Sequence, residues 1–420
     1  MKSAWLALPL VLGMSALSTA QQKVTGPQAR YWVSAETQTG FSGMDRGNMM
    51  AAMMGGSSAR KSLLLELTSV RDANPAQASH AIPAPMSMGP ALELFGERQA
   101  AAVERERDIP EMESRPRGRM LFFWGCGESA GAGQPVIIDI AQMASGTLPA
   151  NMRSAVVRDA PLRLLNSRGT GYANWPNQRD GKAVPGNASL VGAHNVRGNF
   201  SPDIRFNVDN QNDFMDALTL SRAKTGSGAL KLSWNAAGTA TGYFATGFGA
   251  REGGPSGDDM VMWNSSAVRM LGGETLMRFL PPAEVARLIR ERVVMDPKTT
   301  ECVVPREVLA AAGGDLVMNS LNAFGPELNV VHPPRPQDPK VDWNQEYAVK
   351  LRLRSAASVM AGMEDAGERA GRRSRAGPNP GPSEPASRSE GGRGEGSQEK
   401  SEPGSPADAA KSILRGIFGR

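Results

Sequence analysis

Residues 117–140 read Arg-Gly-Arg-Met-Leu-Phe-Phe-Trp-Gly-Cys-Gly-Glu-Ser-Ala-Gly-Ala-Gly-Gln-Pro-Val-Ile-Ile-Asp-Ile, and the fold turns on how they are parsed. Successive side chains of an extended strand point to opposite faces. Met120, Phe122 and Trp124 therefore face one way, and Leu121 and Phe123 the other. Residues 136–140 are β-branched and apolar apart from Asp139. Two short apolar runs of this kind predict strands covered on both faces. Residues 125–135 between them carry four glycines and a proline, which predicts a turn.

A different parsing of that turn would make the protein an enzyme. Residues 127–131, Gly-Glu-Ser-Ala-Gly, match G-x-S-x-G and resemble the nucleophile elbow of the carboxylesterases. The resemblance implies Ser129 as nucleophile, with a strand before it and a helix after it whose N-terminus helps to stabilise the oxyanion. The preceding strand is expected here. Gly133, Pro135 and the β-branched run beyond them oppose the helix, and upstream there is no alternation of strands and helices and no His-Gly-Gly run. A general base would have to be His194 or His332. A serine esterase is accordingly the second alternative, behind two readings developed below.

Outward from this stretch the period of two recurs. Upstream, residues 29–35 predict a strand, and Leu63, Leu65 and Leu67 share one face of another. Residues 40–58 read as a glycine- and methionine-rich loop, and residues 73–96, with four prolines, as an irregular connection. Residues 97–107 predict an exposed helix. Residues 151–187 are turn-rich, with Tyr172 and Trp175 as anchors, and 189–196 and 204–208 predict short strands. Downstream, Leu230, Leu232 and Trp234 face one way, residues 242–248 return as a strand, and Val261 and Trp263 alternate with Met260 and Met262. A helix over 282–294 opens on Pro282 and puts Val285, Leu288 and Ile289 on one face. A second, over 305–312, stops at Gly313-Gly314. Tyr347, Val349, Leu351 and Leu353 alternate with Lys350, Arg352 and Arg354, predicting a half-buried strand with a charged outer face.

Length and composition set the frame. A chain of 420 residues suits two domains with tails. Residues 1–20 predict a cleaved signal peptide: Lys2, an apolar run from Ala4 to Met14, then Ser18-Thr19-Ala20 ahead of Gln21. An N-terminal β-rich domain is expected over 21–208 and a C-terminal one over 209–360, followed by a disordered linker over 361–407 rich in Gly, Pro, Ser, Glu and Arg. Residues 408–420 predict an amphipathic helix with Asp408 as N-cap and Gly419 as stop. Its apolar face, Ile413, Leu414, Ile417 and Phe418, calls for a cover, which an envelope protein, a membrane surface or the chain's own folded region would supply. The net charge of +5 is scattered, with no basic stripe interleaved with aromatics, which argues against nucleic acid. Arginine outnumbers lysine roughly threefold, the mark of a GC-rich bacterial genome. The two cysteines, Cys126 and Cys302, predict one disulfide in an oxidising compartment.

Metal ligation is the first alternative. Met44, Met49, Met50, Met53 and Met54, with Met86 and Met88 beyond, are soft thioethers suited to Cu(I), although methionine is also an adaptable core filler. Three histidines and two cysteines lack zinc spacing, and residues 209–213 lack the glycine and glutamate of a calcium loop.

Residues 229–251, with Leu-Lys-Leu-Ser-Trp234 followed by Ala-Thr-Gly-Tyr243-Phe-Ala-Thr, resemble the second and third strands of a fibronectin type III sandwich. The resemblance implies that Trp234 and Tyr243 pack between facing sheets. The helical segment 271–314 departs from that family. The chain also resembles exported alphaproteobacterial proteins, which implies a location but no activity. Together these readings predict a mainly β, sandwich-like, two-domain protein, periplasmic or secreted, acting as a non-catalytic binding or scaffold protein without a cofactor. Ligand and oligomeric state stay open.

Overall fold

The structure, a computed structural model, describes residues 22–40, 59–96, 118–140, 164, 171–254, 257–271 and 273–361. The expected signal peptide, the cluster Met44–Met54, the helix over 97–107, the linker and the terminal helix bearing Ile413, Leu414, Ile417 and Phe418 lie outside the described residues.

The chain is mainly β. The strands are β1 (Val24–Thr25), β2 (Ala29–Gly40), β3 (Arg60–Ser69), β4 (Gln77–Ala81), β5 (Ala91–Phe95), β6 (Arg119–Trp124), β7 (Val136–Asp139), β8 (Gly171–Trp175) and β9 (Gly192–Gly198). There follow β10 (Ile204–Val208), β11 (Leu220–Lys224), β12 (Leu230–Trp234), β13 (Gly242–Gly254), β14 (Gly257–Asn264), β15 (Glu301–Val304), β16 (Met318–His332), β17 (Trp343–Asn344) and β18 (Tyr347–Met360). Among the described residues two α-helices, α1 (Pro282–Arg290) and α2 (Arg306–Ala311), interrupt the second half.

Thirteen strands form one sheet in the order β10-β9-β4-β5-β8-β3-β2-β18-β16-β13-β14-β6-β7, and β11-β12-β15 form a second. The large sheet folds over on itself. Tyr31 on β2 bonds His80 on β4, and the Tyr347 hydroxyl on β18 donates to the Arg205 carbonyl on β10 at 3.0 Å, although these strands stand far apart in the ladder. Tyr31, Val33, Leu65, Leu67, Leu92, Leu94, Val196 and Ile204 fill the space between the two faces. Each fully buried leucine there contributes roughly 1.5–3 kcal/mol.

Further along, β13 and β16 separate two cores by alternation. Tyr243, Ala245, Leu321 and Ala323 join the main core with Leu230, Leu232 and Trp234 of the small sheet. The Trp234 and Tyr243 rings pack across the facing sheets at 5.6 Å. Phe244 and Phe324 point the other way, onto Val285 and Leu288 of α1. Strands from both sides of Val208 share the large sheet, with β2 parallel to β18, so its ladder and its core run continuously across that position.

The opening stretch forms the predicted strands. On β6, Leu121 and Phe123 enter the main core, while Phe122 packs with Ile138 and Leu271 on the opposite face. Gly125 then turns the chain at φ +94°, a conformation that favours glycine. The turn is anchored by the Trp263 indole, which donates to the Gly125 carbonyl at 2.9 Å.

Four elements depart from the sequence reading. β7 is the edge of the sheet and is covered on one face only, leaving Ile137 51% exposed. Residues 73–96 hold a hairpin of β4 and β5 rather than an irregular connection, because Pro75, Pro83, Pro85 and Pro90 all fall outside the strands. Tyr172 and Trp175 belong to a strand, β8, which bridges β3 and β5. The helix expected over 282–294 ends at Arg290; Val293 and Val294 still bury beside Val285 and Leu288.

Candidate functional site

The outer face of β18 builds the most distinctive cluster among the described residues. Alternation sends Val349, Leu351 and Leu353 into the core and leaves Lys350, Arg352 and Arg354 outside. Parallel pairing with β2 sets these three beside Trp32, Ser34 and Glu36. A segment from far along the chain then covers them. Asn322 on β16 donates to the carbonyls of Leu276 (3.0 Å) and Arg278 (3.4 Å), and Arg354 donates to that of Met277. This pins residues 276–279 against the sheet and lays Phe279 over the arginines.

The result is an alternating stack of cations and rings. The Lys350 ammonium lies 5.8 Å from the Trp32 ring centroid and the Arg352 guanidinium 4.8 Å from it. Arg352 is also 4.7 Å from Phe279, and Arg354 is 5.2 Å from that same ring. Cations over ring faces are attracted by the quadrupole, more strongly when desolvated. Arg352 is only 4% exposed, and its Nε donates to Ser34 Oγ at 2.7 Å. Burial pushes its pKa down to about 10, against the pull of Glu66 and Glu327, so it remains a cation at neutral pH. Lys350 pairs with Glu327 at 3.0 Å and Arg354 with Glu36 at 2.6 Å. Beside this stack lies a groove of about 380 Å³, walled by Leu64, Pro176 and Phe279 and flanked by Arg278, Arg352 and Arg354. Its volume falls in the range of small-molecule sites, roughly 300–1,000 Å³.

The other chemistry-bearing residues lie elsewhere. Ser129 sits in an exposed turn followed by β7, so no helix N-terminus backs it. That turn is bound to its surroundings by structural contacts. Gly127 N–H donates to the Val303 carbonyl at 2.7 Å, and Glu128 accepts from Thr225 at 3.0 Å and from Ser227. Ala130 N–H donates to Glu307 at 2.8 Å, which holds that carboxyl below its usual range. Cys126 in the same turn is disulfide-bonded to Cys302 on β15, with Cα atoms 5.2 Å apart. Among the described residues no histidine bonds Ser129. Both ring nitrogens of His194 are engaged by His80 and Leu190, and His332 stacks on Tyr347 at the end of β16.

His80 and His194 are buried inside the sandwich. The Leu190 carbonyl can only accept, so His194 Nε2, 2.7 Å away, carries a proton. His194 Nδ1 must then accept from His80 Nε2 at 3.0 Å, and His80 Nδ1 accepts from the Tyr31 hydroxyl at 2.8 Å. One tautomer of each ring satisfies the whole chain with both rings neutral. Met86 and Met88, two of the candidate thioether ligands, are buried in the main core. Among the described residues no group of three or more His, Cys, Asp or Glu side chains is placed to hold a metal ion.

Sequence reasoning named Lys350, Arg352 and Arg354 but left them in solvent, and it missed Trp32, Phe279 and the histidine chain. Alternation could have placed Trp32 outward on β2; nothing local announces that Phe279 covers it. No protein-family description, curated protein or solved structure matches the chain.

Proposed function

We propose that the chain is an exported, non-catalytic binding protein of the bacterial cell envelope, with the groove beside Arg352 as its ligand site. The observation that carries this reading is a buried cation fixed between two rings at the side of an open, partly apolar groove. Such a site is pre-organised for recognition, and among the described residues its lining shows no nucleophile hydrogen-bonded to a base. The disulfide supports an oxidising compartment. Among the described residues no helix is long and apolar enough to cross a membrane. Residues 408–420 would add an envelope contact through Ile413, Leu414, Ile417 and Phe418.

Fractionation of a Gram-negative host expressing the full chain tests this. Loss of residues 1–20, an oxidised Cys126–Cys302 pair and weaker envelope association after deletion of 408–420 are expected. An unprocessed, reduced protein in the cytoplasm would refute it.

A further inference from the structure

We infer that the groove binds an organic monoanion through a carboxylate, with Arg278 as the contacting cation. The inference deepens the binding reading above by naming the ligand class of the same site. Four cations cluster there, Lys350, Arg352, Arg354 and Arg278, against three carboxylates. Glu327 pairs Lys350 and Glu36 pairs Arg354. Glu66, buried on β3 and bonded by the Tyr172 hydroxyl at 3.1 Å, faces Arg352. One positive charge is left over among the described residues, and it falls on Arg278, whose exposed side chain has no ion-pair partner among them.

Geometry separates the roles of the arginines. Both faces of Arg352 are covered by rings and its Nε is committed to Ser34. Arg354 is committed to Glu36 and the Met277 carbonyl. Those two are balanced by Glu66 and Glu36 and present no free fork to the groove. Arg278 stands at the groove with its backbone fixed by Asn322, so its planar fork is available to a carboxylate. A single residual charge matches a monoanion better than a phosphate monoester, which carries about −1.5 to −2 charge at pH 7. Leu64 and Pro176 give the remainder of the ligand an apolar wall.

Titration calorimetry of the full chain with benzoate, benzamide and phenyl phosphate tests the assignment. Saturable benzoate binding is expected, with no benzamide binding. Arg278→Gln should weaken benzoate about tenfold or more, the scale of one charge-assisted hydrogen bond. Arg290→Gln, an exposed arginine on α1 outside the groove, should leave it unchanged. Absence of saturable benzoate binding, wild-type affinity in Arg278→Gln, or phenyl phosphate binding as tightly as benzoate would overturn the inference. Processing and fractionation do not depend on Arg278, so a failure here is distinguishable from failure of the export reading.

Discussion

The buried chain from Tyr31 through His80 and His194 to Leu190 predicts a loss of stability in mild acid. Burial holds His80 well below the ordinary histidine value, helped by the neighbouring His194, and burial lowers His194 against the opposing bond to Leu190. The folded protein therefore keeps both rings neutral at pH values where the unfolded chain takes up protons. Because the unfolded state binds more protons, stability is full above the unfolded value near 6.5 and falls as pH drops below it, until the lowered native values are reached. A ring that stays neutral throughout loses about 1.4 kcal/mol between pH 7.5 and 5.5; His80, held well below 6.5, loses that amount, and His194, lowered less far, adds a smaller loss. Protonating His194 would also turn its Nδ1 donor against the His80 donor 3.0 Å away. Arg197 and Arg205 line the cavity over His194, and Asp203 pairs with both, so among the described residues the walls of that cavity offer a new cation no carboxylate. Urea unfolding at the two pH values measures the fall directly. Glutamine can pass the same donor–acceptor direction without titrating, so His80→Gln should remove about 1.4 kcal/mol of the pH dependence and His80→Gln/His194→Gln somewhat more. An unfolding free energy that does not change from pH 7.5 to 5.5 would refute the reasoning, as would an equal fall in the variants.

Two further expectations concern the frame. Opening Cys126–Cys302 by a double serine substitution releases a separation of 176 residues and should cost roughly 5 kcal/mol in the chain-entropy model, read from urea midpoints; a loss under about 1 kcal/mol would argue against that model here. Gly325→Ala on β16 should cost about 1–3 kcal/mol by thermal or urea unfolding, because a Cβ there would lie 2.6 Å from the Leu353 carbonyl oxygen, which no side-chain rotation can relieve; a neutral effect would mean that the β16 irregularity beyond Phe324 absorbs it.

What could be read from the sequence was local. β6, β12, β13 and the inner face of β18 are legible because a single strand carries its own period. The β4–β5 hairpin was hidden by prolines that flank the strands without entering them. β16 was hidden for another reason: Asn319 and Asn322 are fully buried on it, and Gly325 and Pro326 sit mid-strand, so its pattern looks neither alternating nor apolar. Its long pairings with β13 and β18 override that weak local signal. The continuity of the large sheet was equally illegible, since it depends on β18 returning beside β2 from the other end of the described chain.

The groove shows what alternation cannot supply. Period two states that Arg352 faces away from the core, but not whether water or Phe279 lies beyond it. Residues 276–279 lie over the outer face and bury Arg352 within a row of cations that alternation alone would leave exposed. On stability alone that arrangement has little to recommend it, since an apolar side chain of similar volume often serves as well as a buried ion. Arg352 is held by two rings, a serine and nearby carboxylates, yet among the described residues the cluster it belongs to keeps one uncompensated cation at an open groove. A purely structural stack would be expected to balance its charge. An excess placed at the solvent side is what an anion-binding site requires, and it is the feature that Arg278→Gln removes.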